Sequence, residues 1–217
     1  NTNHNKVLSI GNAVPFAIGG FSSRTVQTVV AEGEPVGFIR GYKAVLNPDN
    51  SLKEILPLQN LGSTLPTAYG NFSLSASYKN LSFMLSGDYQ YGAYVHSFDR
   101  QFRFSKGLKD DAIPEKALEG LDQGANWLNF TNFFVEKSDF LKIRNIGIAY
   151  DYKPKKYLKS VNLAFNVYNP FAFTASSVDP EAALAGARSQ GAVAVGGLNY
   201  SSYSTPRQYV GTIRVSF

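Results

Sequence analysis

The amino-acid sequence predicts an all-β protein: an antiparallel transmembrane β-barrel segment with long extracellular loops. Three observations carry this. Apolar and polar residues alternate strictly in several runs, the connections between runs alternate between tight and long, and the composition combines many aromatic rings with little charge.

The composition sets the class. Of 217 residues, 44% are hydrophobic and only 17% are charged, below the roughly 25% usual in soluble domains. Phe and Tyr dominate the rings, with 16 and 13 copies against one Trp. This mixture suits strands that meet an apolar medium on one face and water on the other. Cysteine is absent, which excludes disulfide scaffolds, Cys-ligated zinc and thiol chemistry. His4 and His96 lie far apart in the chain, which argues against a local histidine metal site. The net charge of +5 invites a polyanion partner, but the basic residues are dispersed and form no nucleic-acid stripe. Their densest cluster, Lys153, Lys155, Lys156 and Lys159, falls in a turn. No run of about 18 apolar residues exists, so no transmembrane helix is expected. The start, Asn1 to Lys6, lacks an initiator Met and any signal-peptide pattern, and is expected to belong to a processed piece or the tail of something longer.

The strands follow in order. In Asn71–Tyr78 the even positions are Phe72, Leu74, Ala76 and Tyr78, while the odd ones are Asn71 and three serines. After Lys79-Asn80 the alternation resumes with Leu81, Phe83, Leu85, Gly87, Tyr89 and Tyr91, so the pair reads as a hairpin. Phe140–Tyr152 forms a third run whose phase slips near Arg144-Asn145, as a β-bulge would produce. Val161, Leu163, Phe165 and Val167 begin a fourth, and Tyr209, Gly211, Ile213, Val215 and Phe217 mark a fifth. Thr25–Val30 and Val36–Val45 are weaker candidates in a stretch punctuated by Gly, Pro and Asn. Short helices are expected at Asp111–Gln123, with Pro114 in the first turn, and at Pro180–Arg188.

The connections at Lys79-Asn80 and Lys153–Ser160 are tight, whereas Gly92–Ser138 and Thr174–Arg207 are long. Outer-membrane barrels have that arrangement, with short periplasmic turns and long extracellular loops. Tyr78, Tyr89, Tyr91, Tyr150, Tyr152, Tyr209 and Phe217 are expected near the ends of the apolar bands, where interfacial girdles sit. Five spanning strands, plus one or two near the N-terminus, fall short of the roughly 8 that close the smallest such barrels. The segment is therefore expected to be part of a bigger barrel.

Several tracts resemble one family. Gly33–Lys43 is similar to the G-x-P-[IV]-G-x-x-x-G-Y element of SusC/RagA-type TonB-dependent outer-membrane transporters. Pro66–Leu81 resembles a strand and tight turn of that family, and Ser138–Ile146 its S-F-L-R-L-K-N-V run. Val167–Thr174 resembles its G-x-N-L-F-x-F-T segment, with Pro170 in place of Leu. Asp179-Pro180-Glu181 matches its D-P-E, and Thr205–Tyr209 its P-R-x-[YF] element before the last strand. The resemblance implies about five to seven strands of a roughly 22-stranded barrel. It implies an importer of glycans or peptides that works with a SusD-like surface lipoprotein. Energy would come through TonB, which contacts a plug and first strands absent from this chain. Residues 1–66 would form an extracellular loop region and the end of a preceding strand, and 67–217 the C-terminal strands.

The candidate sites are few. Tyr209, Gly211, Ile213, Val215 and Phe217 resemble the C-terminal signal that marks outer-membrane barrels for assembly. Tyr94, Phe98, Phe102, Phe104, Trp127, Phe130, Phe133 and Phe134 lie in the long Gly92–Ser138 connection. They offer stacking surface for sugars or a lid protein, though packing of the loop against itself and the rim is favoured. Asp110, Asp111, Glu115 and Glu119 read as a solvated helix face, and both histidines as loop residues. Four N-x-[ST] matches (Asn71, Asn80, Asn129 and Asn199) read as chance in Ser/Asn-rich sequence. No P-loop, G-x-S-x-G, H-E-x-x-H or dinucleotide fingerprint occurs, and neither an enzyme nor a cofactor is expected. Outer-membrane lipid is the expected surrounding, with no nucleic-acid partner.

Overall fold

The computed structural model describes residues 1–20, 26–154, 158–179, 181, 197–199 and 203–217. In chain order its strands are β1 (Phe16–Gly20), β2 (Gln27–Val30), β3 (Phe38–Leu46), β4 (Leu52–Ser63), β5 (Ala68–Tyr78) and β6 (Leu81–Tyr91). There follow β7 (Tyr94–Ser97), helix α1 (Phe98–Ser105), helix α2 (Gln123–Asn126), β8 (Val135–Lys137), β9 (Phe140–Tyr152), β10 (Ser160–Thr174), β11 (Leu198–Asn199) and β12 (Gln208–Ser216). Two 3-10 stretches, Glu115–Leu118 and Trp127–Phe134, flank α2.

The strands make three sheets. β12-β10-β9-β6-β5 is an open antiparallel sheet of five long strands, here called the wall. β1-β2-β3-β4 is an antiparallel sheet of four, and β11-β7-β8 a small third one. The last two, with the helical connection between β6 and β9, form a cap at the end of the wall where the long connections emerge.

The wall follows the sequence periodicity closely. Directly opposed residues share a face in an antiparallel sheet. The register pairs Leu74 with Leu85, Leu85 with Ile146, Ile146 with Val167, and Val167 with Tyr209. The opposite face pairs Ser73 with Ser86, Ser86 with Asn145, and Asn162 with Arg214. At the tight end, Lys79 takes a φ of 53°, the positive value that a type II′ hairpin needs at its first central residue.

The phase slip near Arg144-Asn145 is a bulge that crosses three strands. The register jumps from Ser86↔Asn145 to Gly87↔Ile143, which leaves Arg144 unpaired, and β10 answers with Asn169 and Pro170 outside the ladder. Pro170 has no N–H to lose there, and Asn169 tolerates its φ of 51° better than most residues do. Gly87 is required on the other side. A Cβ on it would lie 2.5 Å from the Lys142 carbonyl and 2.5 Å from the Phe72 ring.

The cap departs from expectation in several places. β2 and β3 agree with the two weak candidates to within a few residues, and Thr25 lies outside the described residues. β1 and β4 went unrecognised, β4 because Pro57 interrupts it. Proline is tolerated there because β4 is a sheet edge. Asp111–Gln123 is not an α-helix: only Glu115–Leu118 coils, after Pro114 at ψ 136° and before Gly120 at φ +73°. Its value comes from burial, since Ile113 and Ala117 enter the core. The candidate at Pro180–Arg188 lies outside the described residues apart from Glu181. The helix that does form, α1, occupies the ring-rich Phe98–Ser105 segment. Its Phe104 packs with Phe130 and Phe134 at ring distances of 5.8 and 5.5 Å, over Ala44 of β3. Asn132 ties the coil to that strand by accepting from Ala44 N at 2.9 Å and donating to its carbonyl at 3.3 Å.

Candidate functional site

The wall distributes its side chains in reverse of a water-soluble sheet. On β9, Leu141 is 42% exposed while the neighbouring Lys142 is 4% exposed. None of the buried Ala, Val, Ile, Leu or Phe residues lies in a wall strand; all belong to the cap and its junction. The apolar face instead presents Phe72, Leu74, Phe83, Ile148, Leu163, Phe165 and Ile213 as a continuous exposed surface. No other sheet covers it among the described residues, as a sandwich would require. An exposed patch of that extent marks contact with a non-aqueous neighbour.

Aromatic rings border this face at both ends. Tyr78, Tyr150 and Tyr152 stand near the tight turns, and Tyr89, Tyr91, Phe171 and Phe173 near the cap. Tyr209 differs from expectation. Its row contains Val167, Ile146, Leu85 and Leu74, so it sits mid-band and stacks on Phe165 at 6.5 Å. The reason is that β12 starts late. Arg207 donates to the Pro170 carbonyl at 2.5 Å, and Asn169 donates to Pro206 O at 3.2 Å. These contacts turn the chain into β12 only at Gln208.

The C-terminal residues Tyr209, Gly211, Ile213 and Val215 all lie on the apolar face, opposite Val167, Phe165, Leu163 and Val161. β12 is an edge of the sheet, paired on one side with β10. Phe217 follows the last paired residue and is 80% exposed. The other edge, β5, carries a stub of the N-terminus. Asn1 and Tyr69 exchange hydrogen bonds at 2.9 and 3.0 Å, and Asn3 N donates to Thr67 O at 2.9 Å.

The polar face holds a charge network that sequence reading missed. Lys142 Nζ lies 2.6 Å from Asp179 Oδ1 and 2.6 Å from Glu181 Oε2. Arg144 grips Asp88 with two bonds, 2.6 and 2.8 Å, and also pairs with Glu181. Asp179 and Glu181 come from the turn after β10, and their carboxylates fold back onto the polar side of β9. Burial pushes both carboxyls up, but it is outweighed by the hydrogen bonds from Lys142 and backbone N–H groups at Asp179 and from Arg144 and Lys142 at Glu181, which hold both below the ordinary carboxylate range. A signal for this network existed. Lys142, Arg144 and Asp88 are charges placed inside alternating runs whose one other charge, Asp151, sits at the tight-turn end.

The same turn reaches the cap. Ser177 donates through its backbone N–H and its hydroxyl to Glu136 of β8, at 2.5 and 2.8 Å. Arg100 of α1 pairs with both Glu136 and Asp110. Asp110 is thus an ion-pair partner, and Glu115 pairs with Lys109; Asp111, Glu115 and Glu119 are exposed as expected, but on no α-helix. Ser138 and Asp139 join cap to wall: Gln90 donates to the Ser138 carbonyl at 3.2 Å, and Gly92 N to Asp139 Oδ1 at 2.6 Å.

Most rings of the long connection are packing residues. Phe104, Phe130 and Phe134 are fully buried, and Trp127 and Phe133 pack against them; Phe102 stays half exposed beside Lys106. His4 is exposed. His96 is not a surface loop residue but a buried member of β7, its Nε2 2.5 Å from Gln101 Oε1. Gln101 spends its amide N–H groups on Thr131 and Trp127, so its oxygen is the acceptor and Nε2 carries the proton. Burial pushes the imidazole down to about 4, against the opposing effect of the Gln101 bond. Lys153 and Lys159 are exposed on either side of the turn, and Lys155 and Lys156 lie outside the described residues.

No protein-family model matches the chain, and no curated protein matches it. Solved structures do. The RagAB peptide importer in its "open-open" state superposes with a TM-score of 0.63 at 18% identity, over 97% of this chain and 25% of that one. The "closed-closed" state gives 0.64 at 17% identity, over 96% and 25%. This chain therefore spans about a quarter of the length of the structures it matches. The likeness is one of fold: the open wall and its cap share the architecture of a stretch of that importer.

Proposed function

We propose that the chain forms wall strands and extracellular cap of an outer-membrane nutrient importer of the SusC/RagA type, which takes up glycans or peptides. In this reading the tight turns face the periplasm and the apolar face meets lipid. The polar face lines a water-filled lumen. The observation that carries it is the inverted burial of the wall, with apolar rows exposed and Lys142 and Asn145 buried on the other side. A sheet with lipid outside and water or protein inside accounts for that arrangement. The likeness to the RagAB peptide importer supports the same reading.

Open edges at β5 and β12 require neighbours, because unpaired backbone groups are not tolerated in lipid. The rest of the same barrel supplies them. Residues 1–66 end the preceding strand, with Asn1–Asn3 already seated beside β5, and build much of the cap; residues 67–217 complete the wall. Tyr209, Gly211, Ile213, Val215 and Phe217 serve as the assembly signal. The cap offers its outer surface to a SusD-like lipoprotein, energy arrives through TonB, and the segment does no chemistry of its own.

Uptake of a labelled oligopeptide and a labelled oligosaccharide by cells that express the natural full-length protein tests the function. Uptake of either should stop when the proton-motive force is collapsed. Entry that continues undiminished would identify a passive pore and refute energised import.

A further inference from the structure

The D-P-E turn lies where a ligand of the polar face would lie. Lys142 and Arg144 project from β9 around the three-strand bulge, and the turn brings two carboxylates two residues apart onto them. Among the described residues, Asp179 and Glu181 are the only carboxylates ion-paired to Lys142, whereas Arg144 has Asp88 as a second partner from the wall itself. If the turn leaves, Lys142 loses both carboxylates it is ion-paired with, and Asp88, opposite it in the ladder, is held by Arg144. With the turn in place the Lys142 side chain is 5% exposed, and removing both partners of a buried cation is unfavourable. The turn is therefore held until another anion takes its place, and an exchange of carboxylate for carboxylate leaves the charge balance unchanged.

Two further features make the contact exchangeable. The turn does not fill its seat. A cavity of about 190 Å³ remains between it and the wall, lined by Lys142, Arg144, Thr174, Ser176, Asp179 and Thr205. A wider groove of about 990 Å³ approaches one of these cations, Arg144, past Tyr69, Asn71, Ser73, Ser86, Gln90 and Phe140. Its route ends on Asp88 and Arg144.

We propose that Lys142 and Arg144 form a carboxylate-binding site on the polar face of the wall. Asp179 and Glu181 occupy it in cis, as a displaceable stand-in for a ligand carrying two carboxylates at similar spacing. An acidic peptide segment has that chemistry. Because Ser177 also holds Glu136 of the cap, displacement of the turn loosens the cap–wall tie at the moment a ligand arrives. The proposal rests on the polar face being the wet side.

The test uses the natural full-length protein in detergent, with Ser176→Cys as the only cysteine. Ser176 is buried behind the turn, so a polar maleimide should label it slowly. Adding the blocked tripeptide Asp-Pro-Glu should raise the labelling rate at least 5-fold, with half-saturation at millimolar concentration, since a tethered competitor acts at about that effective concentration. The neutral analogue Asn-Pro-Gln should have no effect. Asp179→Asn with Glu181→Gln should label at least 10-fold faster without peptide. That variant should also bind fluorescent Asp-Pro-Glu at least 10-fold more tightly than the parent does. Lys142→Gln should abolish that binding and Lys142→Arg retain it, with heat-modifiable migration reporting a folded barrel. Equal responses to the acidic and neutral peptides, or a released turn that gains no affinity for the acidic one, would overturn the proposal. Labelling of Asn162→Cys checks the wet face separately: if it is inert while Leu163→Cys reacts, the orientation itself is wrong and the site falls with it.

Discussion

Wall and cap are both β-rich and draw on the same Phe, Tyr and Leu residues, yet they place them oppositely. The cap buries Phe104, Phe130 and Phe134 in one cluster and Val26 and Ile39 in another. The wall buries Lys142 and Asn145 and leaves Leu74, Phe165 and Ile213 outside. The difference lies in what surrounds each region. In water the apolar groups must find one another within the cap. In the proposed membrane setting a wall strand has lipid as the apolar partner on one face, so its core-like residues need no protein neighbour there. The strands of the wall alternate because two media meet across a sheet one residue thick, whereas the cap needs a core several layers deep.

The largest expected effect sharpens this contrast from the cap side. Phe130→Ala removes a ring with no exposed surface and should destabilise the cap by about 3–5 kcal/mol. Protease cutting within Phe98–Phe134 would read it. The amount of barrel in the membrane should stay unchanged, and equal loss of both would mean that cap and wall fold as one unit.

Next in size is a charge on the wall. Leu163→Arg on the apolar face should cost about 2–4 kcal/mol near the membrane midplane, and Asn162→Arg on the polar face much less. A refolding titration of the intact barrel with both variants decides. Equal costs would remove the distinction between the faces.

A pH titration should separate the regions further. His96 is neutral in the folded cap with its pKa near 4, against about 6.5 when unfolded. The unfolded chain therefore binds the extra proton as pH falls from about 6.5. Its contribution to cap stability is complete above that pH and is lost towards 4, at up to about 1.4 kcal/mol per pH unit. His96→Gln should flatten the pH dependence of cap proteolysis in that window; an unchanged slope would assign it to other groups.

The smallest effect on stability is expected at the C-terminus. Deleting Phe217, which is exposed beyond the last paired residue, should leave melting of inserted barrel nearly unchanged while lowering the inserted amount. Heat-modifiable protein in membrane fractions measures both. Normal insertion would make Phe217 a simple strand end.

The wall was legible because its information is local. Period-2 runs at Asn71–Tyr78 and Leu81–Tyr91 specify two faces and a hairpin, and even the bulge at Arg144-Asn145 shows as a change of phase. The cap was legible only in outline. Its eight-residue helix α1 and the coil at Trp127–Phe134 owe their conformation to burial of Phe104, Phe130 and Phe134 on β3, not to any helical repeat. Pro114 and Gly120 break the helical candidate at Asp111–Gln123.

By itself, then, the sequence determined which residues share the apolar face of the wall and which share the polar one, because alternation along one strand needs no knowledge of any other. Only the tertiary structure decided that His96 is buried on Gln101, that Arg207 delays β12, and that Asp179 and Glu181 fold back onto Lys142 and Arg144. Each of these joins residues remote in the chain, and a contact between opposite charges leaves no periodic trace in the residues that make it.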